Sequence, residues 1–241
     1  QDLAVGLHGH RIYVMPGNHD RFHEPLRLPG TLEFDTVFGK RWSAGLGGAQ
    51  AVTLDVPSSN DQVSFICADL CLHSMFDAMP WACCSGQGTA IHQHPLDELK
   101  RLTKLVRQRA EERSAHCAVI WALHFPPDDI QDVPFSLQLR FPERVLALAN
   151  ELSVHLILSG HVHEPRRFRI SGDPVIWGAG TASARLSLTH DIHIVTVEID
   201  ERRRMVDVSR RDFRYDGASQ FLDSPGGYSR HFPTPGVFWR F

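Results

Sequence analysis

The run Cys117-Ala-Val-Ile-Trp-Ala-Leu123 carries no charge and no polar/apolar alternation. As a strand it must be buried on both faces, which places it inside a sheet covered on both sides. Val154 to Leu158 reads the same way. Between the two, Pro142 suits the first turn of a helix reaching about Leu152, with Val145, Leu146, Ala149 and Leu152 on one face. Upstream, Leu96, Leu99, Leu102, Leu105 and Val106 recur at helical spacing and predict a helix of about 18 residues, with the Asp97/Arg101 pair on its polar side. Ala51 to Val56 and Val63 to Asp69, separated by Pro57-Ser-Ser-Asn-Asp61, predict a hairpin. This β-α-β-α-β alternation specifies an α/β sheet with ligands at the strand ends.

Around that centre, Ile12 to Met15 predicts a short strand entering a sharp loop at Pro16-Gly17. Phe22 to Gly48 reads as an irregular excursion or short helices, and it walls a pocket together with the loop Cys71 to Gln93. Beyond Phe168, the segments Pro174 to Trp177, Ile192 to Ile199 and Met205 to Ser209 predict a meander forming a second sheet. Residues 1–215 are expected to form one domain, and 216–241, rich in Gly, Pro, Ser and aromatics without periodicity, a docked or loose tail.

A chain of 241 residues buries roughly 70% of its unfolded surface, so this one needs no staples. Its apolar runs fall short of the ~18 residues of a membrane span, and residues 1–15 lack a secretory h-region. The formal charge of −3 supplies no global field for a nucleic acid backbone, so nucleic acid is disfavoured as a partner. Five Cys without paired C-x-x-C knuckles indicate neither a disulfide framework nor a zinc ribbon, and a reducing, cytoplasmic compartment is expected.

Fifteen His is the compositional oddity. Three segments place His or Asn just after a strand: Gly17-Asn18-His19-Asp20, His124-Phe125-Pro126-Pro127 and Gly160-His161-Val162-His163. Strand ends converge on one edge of an α/β sheet, so the three together point to a metal site. On an extended chain His161 and His163 lie on one face about 7 Å apart, wide for a single ion and compatible with the neighbouring metals of a two-metal centre. The amide oxygen of Asn18 and the imidazole of His124 make a mixed N/O set suiting Mn, Fe or Zn better than Ca or Mg. Asp69 is read as an exposed strand-end carboxylate in preference to one facing the site. Cys67, Cys71, Cys83 and Cys84 are read as buried thiols and not ligands. Arg202 to Arg204 and Arg210-Arg211 are read as solvated strand ends.

In combination these motifs resemble the calcineurin-like metallophosphoesterases, and the element order over Ile12 to Ile199 resembles their cyclic-nucleotide-phosphodiesterase-like branch. The resemblance implies a four-layer sandwich of two mixed sheets packed between helices. It implies two divalent or trivalent transition metals, Mn, Fe or Zn, with Asn18, His124 and His161 on one and His163 on the other. His19 would protonate the leaving alkoxide and Asp20 would orient its imidazole. The implied reaction is in-line hydrolysis of a phosphomonoester or phosphodiester, a small molecule, without a phosphoenzyme. The alternatives are a non-catalytic binding module of the same fold, which has no need of a proton donor, and a nuclease, which the acidic pI disfavours. The family's Asp-x-His and Gly-Asp-x-x-Asp normally lie upstream, and none of the 17 residues before Asn18 forms them. Asp2, His8 and His10 are read as non-ligands. The expectation is a chain that starts inside its domain, with the first strand and its ligands absent and with weak activity or none.

Overall fold

A computed structural model of the chain describes residues 13–17, 20, 22–23, 28–29, 33–39, 42–44, 48–56, 59–70, 90–127, 139, 142–161, 167–168, 175–178, 191–200, 205–215 and 221–233. In chain order the elements are β1 (Phe22–His23), β2 (Leu28–Pro29), α1 (Glu33–Phe38), β3 (Ala49–Asp55), β4 (Gln62–Ala68), α2 (Ala90–Glu112) and β5 (Cys117–Leu123). They continue with α3 (Pro142–Glu151), β6 (Leu156–Ser159), β7 (Arg167–Phe168), β8 (Val175–Gly178), β9 (Asp191–Asp200), β10 (Met205–Tyr215) and β11 (Phe221–Pro233).

The main sheet has the order β3-β4-β5-β6-β8-β7. Its four central strands run parallel, and β3 and β7 pair antiparallel at the edges. The expected hairpin is β3/β4, and α2 and α3 are the crossovers that parallel pairing requires. On one face, Leu96, Leu99, Leu102, Val106 and Ala110 of α2 and Val145 and Ala149 of α3 pack onto Ile66, Ala68, Val119, Trp121, Leu123 and Ile157. On the other face Val63, Ala118, Ile120 and Leu156 meet Val208 of β10, with Val195, Val197 and Ile199 of β9 alongside. The described residues therefore form three of the expected layers: helices, a mixed sheet and a second sheet. The second sheet, β11-β10-β9, is antiparallel throughout its described strands, where a mixed one was expected. Among the described residues no helix is long and apolar enough to cross a membrane.

Several local expectations change. Among the described residues Tyr13 to Gly17 joins no ladder, and Val14 and Met15 pack on the cluster of Phe34, Trp42 and Cys67. Helix α2 begins at Ala90, ahead of the apolar repeat and with Pro95 inside it, because its first turns carry no periodic signal. The charge pair on its polar side is Glu98–Arg101, with Arg101 donating to both carboxylate oxygens at 2.9 and 2.8 Å, and not Asp97/Arg101. Phe221–Pro233, expected as an aperiodic tail, pairs with β10. Arg210 is buried, whereas Arg211 is exposed and lies over the Phe213 ring at 5.3 Å.

Candidate metal centre

The carboxyl ends of β5 and β6 lie side by side, with Leu123 paired to Ser159. One residue on, the Gly160 N–H donates to the His124 carbonyl at 3.0 Å, so the ladder carries His124 to the lip of the sheet. Leu123 and Phe125 belong to the core under the helices, and His124 stands between them just past the end of β5. His161 follows Gly160 with φ 65°, a left-handed conformation that costs a non-glycine residue on the order of 1–3 kcal/mol and recurs at functional sites. This bend brings the His161 Nδ1 within 3.2 Å of the His124 Nε2. Phe125 braces both rings, its centroid 4.1 Å from that of His161 and 5.1 Å from that of His124.

The Pro16-Gly17 turn closes over the same spot. A Cβ on Gly17 would stand 2.7 Å from the His124 Cε1, so the backbone can lie against the imidazole only because residue 17 has no side chain. The Gly17 N–H donates to Asp20 Oδ2 at 2.8 Å and the Asp20 N–H donates to the Gly17 carbonyl at 3.1 Å, a reciprocal pair that holds Asp20 against Gly17.

Of the six residues expected at the site, the structure thus brings together the turn ending in Asp20, His124 and His161. Asn18, His19 and His163 lie outside the described residues, as does any pairing of Asp20 with His19. Among the described residues no group of three or more His, Cys, Asp or Glu is arranged to hold a metal ion. The two described imidazoles nevertheless fit one. Nitrogens 3.2 Å apart, each about 2.1 Å from a common ion, would subtend about 100° there, within the range of tetrahedral and octahedral sites.

Sequence reasoning missed Gly17 and Phe125 as parts of the site, although both directly adjoin residues it named. It also misplaced Asp69, which is fully buried and not exposed. Cys67 is the buried thiol expected, and burial pushes its pKa up to about 11, which keeps it protonated and a poor ligand.

The family model of the calcineurin-like phosphoesterases matches residues 2–165. A dimetal phosphatase from Danio rerio is 11% identical with a TM-score of 0.46, over 91% of this chain and 72% of that one. GAP50, the anchor in the inner membrane complex of Plasmodium, is 11% identical with a TM-score of 0.40, over 78% of this chain and 54% of that one. Vps29 of Chaetomium thermophilum is 16% identical with a TM-score of 0.31, over 48% of this chain and 58% of that one. The chain thus spans little more than half the length of the last two. No curated protein matches it in sequence. With its family model matched over well more than half its length, the chain belongs to the calcineurin-like phosphoesterases.

Proposed function

We propose that the chain is a metal-dependent hydrolase of small phosphomonoesters or phosphodiesters, of the cyclic-nucleotide-phosphodiesterase-like branch, acting in a reducing cytoplasmic compartment. The observation that carries this reading is the 3.2 Å approach of His124 Nε2 and His161 Nδ1 at the ends of adjacent parallel strands. Asn18, His124 and His161 would hold one transition metal, Mn, Fe or Zn, and His163 would contribute to a second. When bound, the metals would supply Lewis acidity toward the phosphoryl oxygens and lower the pKa of a coordinated water. The remaining chemistry falls to the protein. His19 would deliver a proton to the leaving alkoxide, and Asp20, held by its turn with Gly17, would orient that imidazole. Phe125 would keep the His161 ring in place and shield it from water. The free, buried thiols Cys67 and Cys117 accord with the compartment.

The test is metal content by elemental analysis with Mn²⁺-dependent hydrolysis of bis-p-nitrophenyl phosphate and p-nitrophenyl phosphate. Turnover that is lost in both His19→Ala and His161→Ala supports the hydrolase. Tight metal binding with no turnover of either ester would sink it in favour of a binding module.

A further inference from the structure

Phe125 has little freedom of place. Pro126 follows it and restricts it to extended backbone, and Pro126 and Pro127 are both buried. Phe125 itself is 0% exposed and belongs to the core under the helices, with Leu96, Leu99, Leu123 and Val145. A ring held in a close-packed core does not step aside for its neighbours. Two of those neighbours are the imidazoles of the candidate metal centre.

It meets the two rings differently. Against His124 the contact is edge-to-face, with centroids 5.1 Å apart and planes at 88°. Against His161 the centroids are 4.1 Å apart and the planes only 36° from parallel. Aromatic pairs ordinarily keep about 4.5 Å or more between centroids, so at this separation the π face of Phe125 lies over the imidazole. The stacked ring is also the one whose Nδ1 stands 3.2 Å from the His124 Nε2. The face of a benzene ring is negative and its edge positive. A neutral imidazole gains little from that face. An imidazole that has taken an ion on Nδ1 carries part of its positive charge, and cations within about 6 Å of a ring centroid are attracted to the face. Phe125 is buried, so water screens the attraction poorly. An aliphatic side chain of similar volume would brace the imidazole without supplying this attraction.

We infer that Phe125 is a positioning residue that acts through His161 by charge as well as by packing: its π face stabilises the metal-loaded imidazole over the ion-free one and so raises the affinity of the His124–His161 pair for a cation. This role rests on the metal-centre reading above, since it requires that the pair hold an ion.

The experiment replaces Phe125 in the full chain by its mono-, di- and trifluorinated analogues, which keep the shape of the ring and progressively drain its negative face. The trifluorinated analogue at Phe65, a partly buried ring packed against the cluster of Val63, Ala118 and Leu156, is the control. Titration with Co²⁺ reads Kd from the visible absorption of the bound ion, and circular dichroism reads Tm. Kd is expected to rise with each fluorine, by about twofold at one and about 10-fold at three, out of step with any change in Tm, while the Phe65 control stays within about twofold of the unaltered chain. Should the trifluorinated Phe125 chain fail to fold, the mono- and difluorinated steps decide. A Kd flat within about twofold across the Phe125 series overturns the inference, as do losses that follow Tm in place of fluorine count or that recur equally at Phe65. Phe125 is then a packing residue only, and the metal centre stands. Absence of Co²⁺ binding by the unaltered chain overturns the metal-centre reading along with this one.

Discussion

The Nε2 of His124 and the Nδ1 of His161 face each other across 3.2 Å, each ring carried past the end of its own strand. The cost of this arrangement is concentrated at His161, whose φ of 65° suits glycine. His161→Ala and His161→Gly both lose the ring and should both lose metal affinity by more than about 100-fold. They differ in the backbone, and the glycine variant is expected to be more stable than the alanine one by about 1 kcal/mol. Urea unfolding of the two variants side by side checks this, and equal stabilities would mean that the left-handed bend stores no strain.

Gly17 is the second constraint on the pair. In Gly17→Ala the new methyl meets the His124 ring, whose other sides are held by Phe125 and His161. Either the ring or the Pro16-Gly17 turn must move. The expected outcome is a loss of about 1–3 kcal/mol in stability together with at least about 10-fold weaker metal binding. Calorimetric titration with Mn²⁺ reads the second effect, and an unchanged affinity would show that the turn can withdraw without disturbing the imidazole.

The parts of this fold that were legible in the sequence are those whose signal is local. Cys117–Leu123 emerged with its observed bounds because an uncharged apolar run fits only a strand buried on both faces. His124 and His161 were readable as strand-end residues for the same reason. Asp69 was not, because a strand-end carboxylate looks exposed in one dimension, whereas folding buries it fully. β11 was hidden by its own breakers. Arg210 pairs with Tyr228 and Asp212 with Ser224, so Pro225, Gly226 and Gly227 fall in a bulge opposite Arg211, where no regular ladder is demanded of them.

Trp121 and Thr103 tie the sheet to α2. The Trp121 Nε1–H donates to Thr103 Oγ1 at 3.0 Å, and both residues are fully buried. Trp121→Phe removes volume and leaves the Thr103 hydroxyl without that donor, which should cost about 2–4 kcal/mol. Trp121 belongs to the core under the helices, whereas His124 stands past the end of β5 with Phe125 and Gly17 against its ring, so metal affinity should not follow. A urea midpoint that falls while the Mn²⁺ Kd stays constant is the expected pair of results. Parallel losses in both would show that the helix layer transmits its packing to the site.

His155 makes the stability of the same sheet depend on pH. Its ring is buried at the start of β6, where Nδ1 accepts the Val119 N–H at 3.1 Å, so the proton of the neutral imidazole sits on Nε2. Burial, and then the Arg107 guanidinium, lower its pKa from 6.5 to about 3. Arg107 itself is fixed nearby, donating from Nη2 to the Ser153 carbonyl at 2.7 Å. Below the unfolded value of 6.5 the unfolded chain takes up a proton that the folded chain refuses. Stability from this group is therefore full above that pH and is lost as pH falls toward about 3, at up to about 1.4 kcal/mol per pH unit. His155→Gln keeps an acceptor for Val119 and never charges. Urea unfolding at about pH 7, 6 and 5 should show the stability of the unaltered chain falling toward that of the variant by about 1 kcal/mol over the last step. Curves that stay parallel would mean that His155 is protonated, or reached by water, in the folded chain.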